Sequence, residues 1–129
     1  MKSILTGLIV ITVAVAVTGC AVSRDTNVLV NGDRKVGVAS GRILTVSLAA
    51  NPTTGYGWTL SEKPDPAVLR QRGLSEYEPE SDRIGAGGIE TFKFDAGRKG
   101  KTSMIFEYRR PWEKDTEPAR QYRVQVVVH

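Results

Sequence analysis

The chain has 129 residues, of which 40% are hydrophobic and 25% charged, a composition typical of one ordinary globular domain. Its 18 basic and 14 acidic residues are dispersed along the sequence, which argues against the one-sided basic stripe of a nucleic-acid-binding protein. A single Cys excludes an intrachain disulfide. A single His, His129, argues against Ser–His or Cys–His catalysis and against a zinc site.

The N-terminus has the pattern of a secretory signal. Residues 1–19 contain Lys2, an apolar run from position 4 to position 17, and small residues before Cys20. This run is short for a membrane span. The sequence VTGC that ends at Cys20 resembles the bacterial lipobox, in which the Cys becomes the lipid-bearing first residue of the mature chain. We therefore expect a lipoprotein signal peptide over 1–19 and a lipidated tether over 20–26; a soluble exported protein is the alternative.

The residue after Cys20 bears on the destination of the protein. In a Gram-negative cell, Ala21 in place of Asp favours sorting to the outer membrane. We thus expect a lipid-anchored protein of the bacterial cell envelope, at the outer membrane and facing the periplasm. Once Lys2 is removed with the signal, the mature chain has 17 basic and 14 acidic residues, a net charge of +3.

The rest of the chain alternates apolar and polar residues with a period of two, which predicts strands. We predict about seven strands, at 27–31, 42–49, 56–61, 74–79, 89–96, 100–109 and 119–128. Gly, Pro and Asn residues separate them, and the stretch 64–73 could hold a short helical turn. Short strands with this punctuation indicate an all-β fold, an antiparallel β-sandwich, in one domain over 27–129.

Three segments of unusual composition connect these strands: NPTTG at 51–55, SDRIGAGG at 81–88 and RRPWEKDTEP at 109–118. If successive strands run up and down, alternate connections lie at the same end of the sandwich. The same arrangement places three binding loops at one end of an antibody variable domain. The sequence therefore predicts a binding surface made of these three loops.

The first loop belongs to the stretch NPTTGYGW at 51–58. Pro52 fixes its own φ and pushes Asn51 towards an extended conformation, and Gly55 can adopt a positive φ at little cost. We expect a preorganised projection with Thr53 and Thr54 exposed at its tip; a purely structural turn is the alternative. Two aromatic residues at alternating positions should face the core and anchor the base of the loop: Tyr56 and Trp58.

The second loop contains Gly85-Ala86-Gly87-Gly88. It lacks the GxGxxG spacing and precedes a strand rather than a helix, so it is not a phosphate-binding loop. Its glycines would let another backbone approach closely. A mobile turn or a bulge is the alternative.

The third loop contains Arg110-Pro111-Trp112, in which an Arg and a Trp flank a rigid Pro. Trp and Arg are enriched at binding hot spots, so an exposed Trp on a stiff loop is a candidate interface anchor. The alternative is a Trp that folds back onto the end of the sandwich.

Taken in order, NPTTGYGW, GAGG and RPW resemble the chagasin-type inhibitors of cysteine peptidases. The resemblance extends from about Val28 to the C-terminus. It implies a small immunoglobulin-like fold with three loops at one end. It also implies reversible, tight inhibition of papain-like (clan CA) cysteine peptidases, with the peptidase as the partner and with no cofactor or metal.

The resemblance also implies a role for each loop. The first loop would enter the active-site cleft, with Thr53 and Thr54 beside the catalytic Cys–His pair of the peptidase. Pro111 and Trp112 would lie on one side of the cleft, and the glycine-rich loop on the other. The residues implied to bind the peptidase are Asn51, Pro52, Thr53, Thr54, Gly55, Tyr56, Gly85, Gly87, Gly88, Arg110, Pro111 and Trp112.

An enzyme and a binding module without a peptidase target are the alternatives to an inhibitor. Composition does not exclude a carboxylate pair for glycoside hydrolysis, but nothing in the pattern places two acids in one cleft, so we expect no enzyme. An envelope lipoprotein that binds a peptide, a glycan or an assembly partner is the stronger alternative, because the fold alone does not separate it from an inhibitor.

Overall fold

The computed structural model describes residues 25–113 and 115–129. The predicted signal peptide, Cys20 and most of the predicted tether lie outside the described residues. Within the described ranges, no helix is long and apolar enough to cross a membrane. The described residues form nine strands: β1 (Thr26–Leu29), β2 (Arg34–Val38), β3 (Ile43–Ala50), β4 (Gly57–Glu62), β5 (Leu69–Gln71), β6 (Glu76–Pro79), β7 (Gly88–Ala96), β8 (Gly100–Arg109) and β9 (Arg120–Val128).

The strands form two sheets. One sheet has the order β1-β3-β7, and β5 and β6 pair with the remaining edge of β7; the other has the order β2-β9-β8-β4. Most neighbouring strands are antiparallel, but β1 runs parallel to β3 and β2 runs parallel to β9. The predicted all-β sandwich is therefore confirmed, with nine strands in the described residues rather than about seven and with two parallel edge pairs.

The core lies between the two sheets and is built by the predicted alternation. Leu44, Val46 and Leu48 of β3 have no exposed surface, whereas the residues between them are partly exposed. Burial of such aliphatic and aromatic side chains is the main favourable contribution to folding. The largest inward-facing side chains of the other long strands are Phe92, Phe94, Met104, Phe106, Tyr108, Val124, Val126 and Val128.

Two strands were not predicted, and each has a physical explanation. β2 carries two charged residues and a Gly, but Val36 and Val38 alternate on its inner side and are buried. β5 lies in the stretch predicted as a helical turn. A turn does form there, because the amides of Val68 and Leu69 both donate to the carbonyl of Asp65. The chain then pairs as a strand with β7, so Leu69–Gln71 is a correction to the prediction.

The strand register brings the three unusual segments to one end of the sandwich. Ala50, the last residue of β3, pairs with Gly88, the first residue of β7. In the other sheet, Gly57 of β4 pairs with Arg109, the last residue of β8. The β3–β4, β6–β7 and β8–β9 connections therefore leave the same end, as the sequence predicted. We call them the first, second and third loops, and their end the loop end.

Candidate functional site

The first loop is a single, internally bonded turn. Residues Pro52–Thr54 form one turn of 3-10 helix, and Gly55 closes it in the left-handed conformation, with φ of 85°. The hydroxyl of Thr53 donates to Oδ1 of Asn51 at 2.5 Å, and the hydroxyl of Thr54 donates to the carbonyl of Asn51 at 2.6 Å. Pro52, Thr53 and Thr54 are all exposed. The loop is therefore rigid and projecting, and its two hydroxyl groups help to hold its shape.

Aromatic side chains anchor the base of the first loop. Trp58 is only 4% exposed, and its indole N–H donates to the carbonyl of Ala49 at 2.9 Å. The ring of Tyr108 lies 4.7 Å from that of Trp58 and 5.2 Å from that of Tyr56. The hydroxyl of Tyr108 accepts the amide of Asn51 at 2.8 Å. The prediction that both aromatic residues face inward is correct for Trp58, while Tyr56 is partly buried at the edge of the core.

Arg110 joins the third loop to the first. Its Nε donates to the carbonyl of Thr54 at 3.1 Å, and its guanidinium lies 4.5 Å from the centre of the Tyr56 ring. It also forms a salt bridge with Glu113 at 3.1 Å. The guanidinium also lies 5.9 Å from the centre of the Trp112 ring, so the side chain combines a hydrogen bond to the first loop, an ion pair and two cation–π contacts. Arg110 is half-buried and fixes the spacing between the two loops.

Trp112 stands beside the first loop and faces solvent. It is 66% exposed, so it does not fold back into the sandwich. Its indole ring covers Gly55 so closely that a Cβ at that position would lie 2.5 Å from Cη2 of Trp112. The exposed Pro111 precedes it. The tip of the first loop and the Trp112 ring therefore form one continuous surface.

The second loop contacts the first from the other side. The side-chain amide of Asn51 donates to the carbonyl of Gly85 at 3.1 Å. Gly85 has a φ of 81°, which favours Gly. A Cβ at Gly87 would lie 3.2 Å from the carbonyl oxygen of Ala50, so this Gly permits the close approach of the two loops.

Gly88 differs from the other predicted site residues. It is buried as the first residue of β7, and a Cβ there would collide with the carbonyl oxygen of Glu78 in β6. Its absence of a side chain lets β6 and β7 pair at the base of the second loop. The structure therefore places Gly88 beneath the loop end, whereas the other predicted site residues are exposed or half-buried there.

Two salt bridges lie at the loop end, between Arg109 and Glu107 and between Arg110 and Glu113. Within residues 25–113 and 115–129, no group of three or more His, Cys, Asp or Glu residues is placed to hold a metal ion. A shallow pocket of about 190 Å³ lies at the base of the second loop, lined by Asn51, Glu80, Tyr108 and Arg120 among others. The arrangement presents a convex, rigid edge suited to a groove on another molecule.

Most of the described chain matches one known protein family. Residues 37–126, which include all three loops, match the model of the family described as "Chagasin family peptidase inhibitor I42". The chain belongs to the chagasin family of peptidase inhibitors. This membership confirms the resemblance found in the three motifs, and it confirms that the chain is an inhibitor rather than an enzyme.

Individual relatives and a solved structure agree with this assignment. The chagasin-family chain is 30% identical over 86 residues to amoebiasin-2 of Entamoeba histolytica, which covers 67% of this chain and 70% of the relative. It is 29% identical over 91 residues to chagasin of Trypanosoma cruzi, covering 67% and 82%. The crystal structure of the cysteine protease inhibitor EhICP2 from E. histolytica shares the fold, with a TM-score of 0.68 and 23% identity over 81% of this chain and 96% of that chain.

An exposed apolar residue of this chagasin-family chain lies at the loop end and was not among the predicted site residues. Ile84, at the tip of the second loop, is fully exposed, with a relative surface of 103%. The loop holds it away from the sandwich, because the amide of Ala86 donates to the carbonyl of Arg83 and closes a turn around it. The sequence did contain a signal for this exposure. Ile84 is an aliphatic residue between Arg83 and Gly85, and it belongs to no alternating pattern that would bury it.

Proposed function

We propose that the chain is a reversible, tight-binding inhibitor of papain-like cysteine peptidases that blocks the active-site cleft with its three loops. The observation that carries this proposal is the joining of the loops at one end. Asn51 bonds the second loop to the first, and Arg110 bonds the third loop to the first. Family membership supports inhibition as the activity, and the structure supplies a rigid edge with which to perform it.

The first loop is the part that would enter the cleft. A cysteine peptidase must bring the scissile carbonyl of its substrate to the thiolate and the oxyanion hole. The turn Pro52–Thr54 can fill that space while its own backbone stays locked, since Asn51 and Gly55 hold both of its ends. In the proposal, Thr53 and Thr54 lie beside the catalytic pair, and the closed turn offers no carbonyl in an attackable geometry.

The flanking loops would widen the contact on both sides of the cleft. Pro111 and Trp112 bind on one side, and the loop with Gly85 and Gly87 binds on the other. The remaining residues expected at the interface also hold the loop end together: Asn51, Tyr56, Gly88 and Arg110. A standard protein–protein interface buries about 1,600 Å² in total, and a rigid set of loops loses little conformational entropy on binding.

Ile84 is assigned to the same surface as an apolar anchor of the second loop. Its side chain is fully exposed in the free protein, so contact with an apolar patch beside the cleft would bury all of it. Ile84→Ser is expected to raise the inhibition constant at least tenfold, because burial of an Ile side chain contributes about 1.5–3 kcal/mol. The measurement is the competitive inhibition constant for papain.

A matched variant separates this effect from a general change in the surface. Leu74 is 90% exposed and lies between β5 and β6, outside the three loops. Leu74→Ser should leave the inhibition constant unchanged. Equal inhibition constants for the Ile84 and Leu74 variants would contradict the assignment of Ile84 to the interface.

The proposed location is the bacterial cell envelope, with a lipid on Cys20 that anchors the protein to the outer membrane and leaves it facing the periplasm. The support is the order of a basic start, an apolar run and VTGC in residues 1–20. Mass spectrometry of the envelope fraction of a Gram-negative host should find diacylglycerol on Cys20. A Cys20→Ala variant should lack the lipid and leave that fraction.

The inhibition assay tests the function itself. Purified residues 21–129 should inhibit papain competitively and remain uncleaved between Thr53 and Gly55 after prolonged incubation. A nanomolar inhibition constant corresponds to about −12 kcal/mol of binding free energy. Full papain activity at a saturating concentration of the folded protein would overturn the proposal and leave an envelope binding module as the better description.

A further inference from the structure

The end of the sandwich opposite the loop end is positively charged. Two turns form it, residues 39–42 between β2 and β3 and residues 97–99 between β7 and β8, and the amide of Gly41 joins them by donating to the carbonyl of Ala96 at 2.8 Å. Exposed basic side chains lie on these turns and on the adjacent strands β2 and β8, and we call them the basic pole: Lys35, Arg42, Arg98, Lys99 and Lys101.

The cations of the basic pole are available to a partner. None of the five forms a salt bridge within residues 25–113 and 115–129. Three side-chain carboxylates lie at the same end. Asp95 pairs with Arg72 at 2.7 Å. Oδ1 of Asp25 accepts the amide of Ile43, and Oδ1 of Asp65 accepts the amide of Ala67. The five cations of the pole outnumber these carboxylates, so the pole carries an excess of positive charge.

A groove on the outer face of the same end adds an apolar element. It has a volume of about 430 Å³ and runs across β9 between Lys35 and Lys101. Val127, which pairs with Lys101, lies in this groove and is 41% exposed. Cations around an exposed apolar side chain suit the interfacial region of a membrane, where anionic headgroups meet the acyl chains.

The described chain begins at this end. Thr26, the first residue of β1, pairs with Leu44 near the start of β3, whereas β3 ends at Ala50 beside the first loop. Five residues lie between Cys20 and Thr26, and even a fully extended tether over these six Cα–Cα steps spans only about 20 Å. A lipid on Cys20 would therefore hold the basic pole, and not the loop end, next to the membrane.

A series of acidic side chains lies towards the other end. An exposed acidic series follows the edge strand β6 into the second loop, at Glu76, Glu78, Glu80 and Asp82. An anionic surface would attract the basic pole and repel this series. The separation of charge along the molecule therefore favours one orientation over the others.

We propose that the basic pole docks on the surface of an anionic phospholipid membrane and that the three loops point away from it. The proposal rests on the lipid anchor of the proposed function for its orientation. Lipid attachment and electrostatic attraction would act together, with the lipid anchoring the protein and the basic residues setting its orientation on the surface. The docked protein would keep its inhibitory edge open to peptidases in the compartment.

The experiment uses the unlipidated residues 21–129, which contain all nine strands, and measures sedimentation with vesicles. Vesicles of equal parts phosphatidylglycerol and phosphatidylcholine should bind the protein at low salt, and pure phosphatidylcholine should not. Binding should weaken as the salt concentration rises. A double variant, Arg98→Ala with Lys99→Ala, should reduce the partition coefficient at least tenfold, since each basic residue near such a surface contributes about fivefold.

A charge-matched variant at the loop end provides the control. Arg83→Ala with Arg120→Ala removes the same charge, so its partition coefficient should stay close to that of the parent protein. Equal losses in the two double variants, or equal binding to both kinds of vesicle, would overturn the proposal.

Different results would contradict the proposed inhibitory function and the proposed docking of the basic pole. Loss of papain inhibition or of the lipid on Cys20 would count against the proposed function, and neither readout depends on vesicle composition. The lipidated protein in anionic vesicles adds a direct measure of orientation. Amides of residues 39–42 and 97–100 should exchange more slowly than in neutral vesicles, while those of residues 52–55 should be unaffected. Slower exchange at residues 52–55 would contradict the orientation.

Discussion

Trp112→Ala is expected to weaken the inhibition of papain about thirtyfold, which corresponds to about 2 kcal/mol and places Trp112 among the binding hot spots. The side chain is 66% exposed in the free protein, and it covers Gly55 at the edge of the first loop. Removal of the ring would therefore take away a large contact surface from the complex. Only a small part of the core packing would change.

The thermal unfolding temperature distinguishes an interface role from a structural one. Because Trp112 is mostly exposed, its replacement should change the unfolding temperature by no more than a few degrees. Leu29→Ala is a suitable control, since Leu29 is 54% exposed at the end of the edge strand β1, outside the three loops, and its replacement should affect neither quantity. A large loss of stability in the Trp112 variant would show that the ring supports the fold and would contradict the assignment.

Gly55→Ala should have a still larger effect on inhibition, with an increase of the inhibition constant on the order of a hundredfold, or about 3 kcal/mol. Gly55 has a φ of 85°, which Ala adopts only with strain. The new methyl group would also lie 2.5 Å from Cη2 of Trp112 and push the ring aside. One substitution would thus disturb both the tip of the first loop and the Trp112 surface.

Gly73→Ala is the control that introduces backbone strain without displacing the Trp112 ring. Gly73 also has a positive φ, of 65°, but a Cβ there would meet no atom within 4 Å. Both variants should lose about 1 kcal/mol of unfolding free energy, a decrease of roughly 5 °C in the unfolding temperature for a domain of this size. Only the Gly55 variant should lose inhibition, and a similar loss in the Gly73 variant would refute the explanation.

Strict alternation made most of the fold predictable. Strands such as β3 and β9 alternate without interruption, because one face of each is buried and the other is exposed to solvent. β5 was not predictable in this way, since three residues cannot establish a period. Its conformation is set by pairing with β7, and tertiary context of this kind outweighs local preference.

The candidate site was predictable in its parts and not in its connections. Pro52 and Gly55 indicated a rigid turn, and the observed φ of 85° at Gly55 agrees with that reasoning. The hydrogen bond from Arg110 to Thr54 joins residues 56 positions apart, and the one from Asn51 to Gly85 joins residues 34 apart. Such pairs depend on the register between strands. The alternation of residues in a single sequence predicts where strands lie but not how they pair. The exposure of Ile84 depends on the path of its loop in the same way.

The hydrogen bonds of Asn51 and Arg110 have a consequence for engineering a new target preference into this scaffold. If the third loop alone were replaced by that of another family member, the residue at position 110 would change. The Thr54 carbonyl would then have a different hydrogen-bond donor or no donor. The same holds for the Gly85 carbonyl if the β6–β7 connection is exchanged by itself. Chimeras should therefore keep the shape of the loop end when all three loops come from one parent. Double-mutant cycles on the residue pairs that join the loops should show a loss of coupling energy where loops from different parents meet.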